Sequence, residues 1–286
     1  MKKKKRKLLL VVVCLVALSG CGNAASAVEG SAEIYAQTAH EMLEEADSFA
    51  AEFEAVVSMN GTEKTTTNGQ ISFVKDPLYM KVDTKHVFGN TEQEYVTYLE
   101  KSEDGVAQYM SYDGQWTEMT MTEDNALASV QIYHSLYNME LIFTMVNDWA
   151  VEQHGDKIVL QGVIPESKVY AAEEYTRWFQ LAGMSGLSEV YFANVGDVPV
   201  TVALDAKTGK PLSYEADLAQ ALETVTNNVL TELGGGTLEN GVTVTEYTIQ
   251  SELTQLGNVE AAPIPEAAKS SAINYEKEIS LLEGVE

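Results

Sequence analysis

Apolar side chains recur at every second residue in one short run after another from Phe53 to Met121, with turn-forming pairs between the runs. Phe53, Ala55, Val57 and Met59 alternate with Glu54, Val56 and Ser58, a period of two that belongs to an extended strand whose successive side chains point to opposite faces. Asn60-Gly61 ends that run with hairpin-turn chemistry. Further runs cover 69–74, 78–82, 93–100, 106–112 and 115–121, punctuated by Asp76-Pro77, Gly89-Asn90, Asp104-Gly105 and Asp113-Gly114. Parallel neighbours need a crossover of roughly a dozen residues or more, and these connections are far shorter. An antiparallel meander follows.

Other periods flank the meander. Ile34, Tyr35, Ala39, Met42, Leu43 and Ala46 share one face of a helix expected over 31–47, with Glu41, Glu44 and Glu45 opposite. Thr122 is placed to cap a helix whose first turn holds Glu123 and Asp124. From Leu127 to Trp149 the chain is apolar on nearly every side, and Asn138 is expected to divide it into two helices. Strands are expected at 150–154 and 157–163, then a helix from Pro165 or Ser167 to Leu181, stopped at Gly183. Strand-like runs return at 189–195, 199–204, 211–218 and 242–251, with a hairpin turn at Asp205–Gly209 and a glycine-rich loop at Leu233–Gly241. The second block of strands loosely echoes the first, which suggests one continuous curved sheet. The fold class is α+β: a single domain over 31–265, followed by a tail, 266–286.

The N-terminus has a different character. Lys2 to Lys7 are all basic, and the apolar stretch Leu8–Leu18 that follows is too short to span a bilayer, which takes about 20 residues. A basic head and a short apolar core make an export signal. The exit, Leu18-Ser19-Gly20-Cys21, resembles the lipobox of bacterial lipoproteins. That resemblance implies removal of residues 1–20, acylation of Cys21, and a chain held on the extracytoplasmic face of the cell membrane. Residues 22–30, small and polar, read as a tether reaching about 15–18 Å as a coil.

Charge removes several function classes. The full chain has 18 basic and 43 acidic residues; loss of 1–20 takes six basic and no acidic ones, leaving a formal charge of −31. Such a surface repels nucleic acid and anionic headgroups, so membrane attachment falls to the acyl chains on Cys21. Cys14 leaves with the signal, and no thiol remains for a disulfide or a cysteine metal cluster. His40, His86, His134 and His154 are scattered, without the paired spacing of a helical zinc site. Gly183-Met184-Ser185-Gly186 is one glycine short of a nucleophile elbow, and Gly234-Gly235-Gly236 lacks the lysine of a phosphate loop. Neither a catalytic residue, a metal nor a cofactor is expected.

The layout resembles the LolA/LppX group of bacterial lipoproteins and lipoprotein carriers. The resemblance is carried by the lipobox, the opening helix running into Phe49–Met59, G-Q-I-S-F-V-K-D-P-L-Y-M-K-V-D at Gly69–Asp83, Y-M-S-Y-D-G-Q-W at Tyr109–Trp116 and V-A-L-D-A-K-T-G-K-P-L at Val202–Leu212. It spans roughly Ser31 to Pro265 and consists of spacing and texture. It implies a strongly curved antiparallel sheet, an open half-barrel with helices packed in its concave side, and acyl chains or lipids bound between the two. No binding residue transfers by motif. Arg177 is the sole arginine after the signal, which departs from the arginine-centred latch of a lipoprotein carrier and argues against a shuttling role.

Within that reading, the methionines, tyrosines and large aliphatics of Ile132–Trp149 form a mixture suited to flexible apolar ligands. Leu136, Met139, Phe143 and Met145 are the candidate pocket residues. The same residues equally suit ordinary core packing. Two functions therefore stand: a lipid-binding lipoprotein, or an envelope protein-interaction or sensor module with a filled core.

Overall fold

The computed structural model describes residues 31–61, 64–234 and 241–274. The signal peptide, Cys21 and the tether lie outside them. The chain opens with α1 (Ala32–Glu44) and runs directly into β1 (Ser48–Met59), β2 (Thr65–Val74), β3 (Tyr79–Phe88), β4 (Thr91–Ser102), β5 (Gly105–Tyr112) and β6 (Gln115–Met121). Next come α2 (Glu123–Val130), a 3₁₀ turn at Gln131–Tyr133, and α3 (Ser135–Met145), followed by β7 (Ala150–His154), β8 (Lys157–Ile164) and α4 (Glu166–Thr176). After two 3₁₀ turns the chain forms β9 (Val198–Asp205), β10 (Pro211–Asp217), α5 (Ala219–Leu233), β11 (Val244–Leu256), α6 (Glu266–Ser271) and β12 (Ile273–Asn274).

All these strands belong to one sheet, in the order β12-β6-β5-β4-β3-β2-β1-β11-β10-β9-β8-β7. The sheet is curved and does not close on itself. The α+β half-barrel expected from the sequence is the fold. Every pairing is antiparallel except that of β12 with β6. The seam is β1, which pairs with β2 on one side and with β11, from the far end of the chain, on the other. On β1, Phe53, Ala55 and Val57 are buried and Met59 half-buried on the inner face, as alternation required, while Glu52 is exposed.

Four local expectations need correction. The break in the apolar stretch falls at His134, not Asn138: the imidazole Nδ1 accepts the Tyr137 N–H at 3.1 Å and caps α3 from a non-helical backbone. Asn138 is fully buried inside α3, its Nδ2 donating to the Ile132 carbonyl at 3.3 Å. Burial holds His134 down at about 4, so it is neutral and able to accept. The helix after Pro165 stops at Thr176, because Arg177 takes a left-handed backbone (φ 55°), and a 3₁₀ turn continues over Trp178–Ala182 to Gly183.

Residues 189–195 are not a strand; Glu189–Phe192 is a 3₁₀ turn. Both edges of β9 are taken by β8 and β10, and Asn194 (φ 59°) breaks the extended backbone. The carbonyls of Tyr191 and Ala193 accept instead from Asn228 Nδ2, at 2.8 and 3.0 Å. Finally, α5 had no counterpart in the sequence reading. Its Ala221, Leu222 and Val225 form a single buried stripe, but the Thr-Asn-Asn run at 226–228 lowers helix propensity and masked the period.

The main core lies between the inner face and the helices, and includes Leu43, Phe49, Ile71, Met80, Ile142, Leu160, Val202 and Tyr247. A second, smaller cluster sits on the outer face, where Ile264, just before the tail, and Ala268 within it cover Tyr79, Tyr98, Ala107 and Tyr109. The tail beyond Pro265 thus packs through α6, and β12 adds a short strand to the β6 edge.

Candidate functional site

Residues directly opposite across a ladder share a face. The pairings Phe53–Gly69–Thr84–Tyr95–Tyr112 and Ile71–Val82–Thr97–Met110–Thr117 therefore trace the inner face from the seam to β6. Along β8 to β11 the same face is sealed. Ile158, Leu160, Val200, Val202, Leu204, Ala216 and Ile249 are each no more than 3% exposed, because the helices and 3₁₀ turns pack onto them.

The other half is sealed near the helices, at Met80, Val82 and Leu99, and open further along. Phe88 is 63% exposed, and Met110, Tyr112 and Met119 are each about 40% exposed. Large apolar side chains gathered on one concave face can mark a binding surface. α2 reaches the far part of this wing, through a 3.1 Å hydrogen bond from Gln108 Nε2 to Ser129 Oγ and an ion pair of Lys101 with Glu123 at 2.7 Å, and Tyr133 of the 3₁₀ turn Gln131–Tyr133 reaches its middle, against Phe53 and Thr84. At the near end of the wing lies a recess of about 360 Å³ lined by Val57, Met59, Thr65, Phe88, Leu181, Ala182 and Gly183. Recess and exposed side chains share the inner face of this wing, a trough whose Phe88 end and Met119 end stand three strands apart.

The trough's middle carries polar groups that are paired and uncharged. Thr67 Oγ1 lies 2.7 Å from His86 Nδ1, and the His86 ring meets Tyr95 edge-on, centroids 5.5 Å apart. Tyr95 stacks on Tyr112 at 5.0 Å. The Tyr95 hydroxyl donates to Gln93 Oε1 at 3.2 Å, and Gln93 Nε2 donates to the Tyr112 hydroxyl oxygen at 3.2 Å. Burial lowers the His86 pKa and raises that of Tyr95, which keeps both neutral near pH 7. The row offers hydrogen bonding without charge.

One lip of the recess is the 3₁₀ turn Trp178–Ala182, and it is held from behind. Glu173 Oε2 accepts the Phe179 N–H at 3.0 Å, and the Tyr247 hydroxyl donates to the Trp178 carbonyl. Burial pushes the Glu173 carboxyl up to about 8. Trp178 and Phe179 are themselves almost wholly buried, so Leu181, Ala182 and Gly183 project from an anchored turn.

The four residues proposed from sequence lie elsewhere. Leu136, Met139 and Phe143 are buried and Met145 half-buried on α3. They are brought together on one helix, and protein covers them: Phe143 packs on Trp149 with centroids 5.6 Å apart. None of the four is among the residues that line the recess of the trough or the larger polar groove. The larger cavity, about 590 Å³, is a polar groove on the outer face of β1, β2 and β9 to β11, bordered by Glu52, Glu54, Glu215 and Glu252. Its carboxylates make it unsuited to an acyl chain.

A signal for the trough was present in β5. There Ala107 and Tyr109 alternate with Met110 and Tyr112, so both faces of the strand are apolar. Both faces then need a partner. The tail supplies one on the outer side; the inner side stays open.

By its architecture the molecule is an open half-barrel with helices on its inner face. Among solved structures it is similar to LprF from Mycobacterium bovis, at 11% identity over 82% of this chain and 96% of that one, with a TM-score of 0.45. It is also similar to a putative outer membrane lipoprotein-sorting protein domain from Vibrio parahaemolyticus, at 9% identity over 83% and 97% of the two chains, TM-score 0.27. A LolA superfamily protein from Nitrosomonas europaea matches at 8% identity over 83% and 96%, TM-score 0.25. At these identities the likeness is one of fold alone. No family model matches the chain, and no curated protein does.

Proposed function

We propose that this is a lipid-anchored protein of the cell envelope, non-enzymatic, that binds a lipid or other acyl-bearing molecule in the trough over β3 to β6. The observation that carries the reading is the exposure of Phe88, Met110, Tyr112 and Met119 on the inner face, with Phe88 bordering an apolar recess on that face. Small-molecule sites run from roughly 300 to 1,000 Å³, and the recess of about 360 Å³ lies at the lower end of that range. An acyl chain laid along it gains roughly 25 cal/mol per Å² of apolar surface removed from water, with no need for charged anchors. The neutral Thr67–His86–Tyr95–Tyr112 row suits an ester, hydroxyl or protonated carboxyl better than a carboxylate or phosphate. Attachment through Cys21 would place the trough next to the membrane that supplies such molecules.

Native mass spectrometry of protein extracted gently from its own membrane tests the ligand. Expected is a co-purifying acyl-bearing mass in the wild type that Met110→Glu with Met119→Glu eliminates. The anchor has its own test, since Cys21→Ala should leave the precursor uncleaved and unlabelled by a fatty-acid analogue. Continued labelling of that variant would end the lipoprotein assignment. Because the exposed patch is shallow while the remaining core is filled, a second reading has support: an apolar segment of an envelope protein partner could occupy the same face. An empty wild type that forms a stoichiometric complex with an envelope protein, lost in the same double variant, would favour it.

A further inference from the structure

On the side of the molecule where α1 and α3 pack together, three side chains converge that the trough does not use. His40 and Glu44 stand one turn apart on α1, and residues at this spacing share a helix face; Glu140 reaches across from α3. The His40 Nε2 lies 3.8 Å from Glu44 Oε1, and one ligand atom from each of the three residues falls within 4.8 Å of the others. We propose that His40, Glu44 and Glu140 form a binding site for a divalent transition-metal ion, Zn²⁺ by its donor set.

The chemistry selects the ion. Two carboxylates and an imidazole are the ligand classes of zinc, whereas Mg²⁺ and Ca²⁺ take oxygen ligands almost throughout. With zinc–ligand distances of about 2.0–2.2 Å, tetrahedral donors stand roughly 3.4 Å apart, so small rotamer adjustments from the present spacing bring all three into place. Three protein ligands leave a fourth position for water or an external group. The His40 ring is backed by Phe143, centroids 6.2 Å apart, which limits its swing.

Glu44 and Glu140 bring two carboxylates together across the α1–α3 contact, and a bound dication would offset their mutual repulsion. It would also tie α1, the helix that follows the tether, to α3 in the core. His154 provides an internal control: it sits 3.0 Å from Glu152 on the exposed strand β7 and belongs to no such triad among the described residues.

Calorimetric titration of the purified full chain with Zn²⁺ alone decides the matter. The expected result is one equivalent bound, with no comparable event for Mg²⁺ or Ca²⁺. His40→Ala and Glu140→Gln should each weaken binding by about 100-fold or more, since even losing a group that only supports a ligand costs 10- to 100-fold. His154→Ala should change nothing. If His40→Ala fails to fold, the exposed Glu44→Gln decides: wild-type affinity in that variant overturns the site. So does a wild type that takes up no Zn²⁺ at micromolar concentration, or one whose binding is lost equally in His154→Ala.

Discussion

The two wings of the sheet, on either side of the β1 seam, have similar strands and opposite fates. On the β7–β11 side, the inner face meets α3, α4, α5 and two 3₁₀ turns, and Leu160, Val202 and Leu204 are sealed. On the β2–β6 side, Met80, Val82 and Leu99 near the helices are equally sealed, but Phe88, Met110, Tyr112 and Met119 further along are not. Strand composition does not separate them; the supply of helices does. The second half of the chain inserts helical segments between β8 and β9 and between β10 and β11, whereas the meander β1–β6 runs through turns alone. A sheet built by short hairpins has no covering of its own on either face. Its outer face borrows the tail, and part of its inner face stays uncovered among the described residues.

This contrast can be broken by experiment, most forcefully in the filled wing. Phe143→Glu buries a carboxylate against Trp149 and should cost on the order of 4 kcal/mol or more, seen as loss of the cooperative urea transition. Binding would be lost there through unfolding, which separates it from a trough variant. Met139→Ala, at a fully buried site, should lower stability by about 2–5 kcal/mol while leaving binding of a fluorescent fatty acid intact at temperatures where the protein stays folded. A selective loss of binding in folded Met139→Ala would move the pocket to α3.

The Glu173 carboxyl sharpens the comparison through pH. Its folded pKa of about 8 lies above the usual carboxylate range near 4.3, so the folded state holds a proton that the unfolded chain has released. Its contribution to stability is complete below about pH 4 and is lost as pH rises through 8. Glu173→Gln should therefore flatten the decline between those limits and make the variant the more stable protein above pH 8, by a few kcal/mol at most. Denaturant midpoints measured from pH 5 to 9 check this; parallel profiles for the two proteins would contradict it.

The smallest effect on stability belongs to the open wing. Met119→Glu and Met110→Glu place charges at sites already about 40% exposed and should shift unfolding by about 0.5 kcal/mol or less. Their effect on ligand binding should nonetheless be the largest of all the variants that remain folded. If they bind a fatty-acid probe as well as the wild type, the trough is not the site.

Much of the fold was legible because hydrophobic period is a local property. Phe53, Ala55 and Val57 had to share a face, Asn60-Gly61 had to turn, and Thr122 had to cap, its Oγ1 accepting the Asn125 N–H at 3.3 Å. Where local signals were ambiguous, the neighbours decided. Residues 189–195 alternate like a strand but meet no free edge, and α5 hides a buried stripe behind poor helix formers. His134 rather than Asn138 breaks the apolar helix because its imidazole can supply a cap, a matter of side-chain geometry that spacing does not reveal.

The candidate site divides in the same way. Sequence alone identified an apolar surplus in Leu136, Met139, Phe143 and Met145, since a helix apolar all round must be covered by something. It could not say by what, because burial depends on which elements arrive from elsewhere in the chain. Folding brings α1, α4 and the β1–β11 seam onto α3, and leaves Phe88, Met110, Tyr112 and Met119 uncovered. The same holds for His40, Glu44 and Glu140: the helical spacing of the first two is written in the chain, while the third comes within reach only when α3 docks on α1. Periodicity determined which side chains each element would present, and tertiary packing alone decided which of them would find a partner.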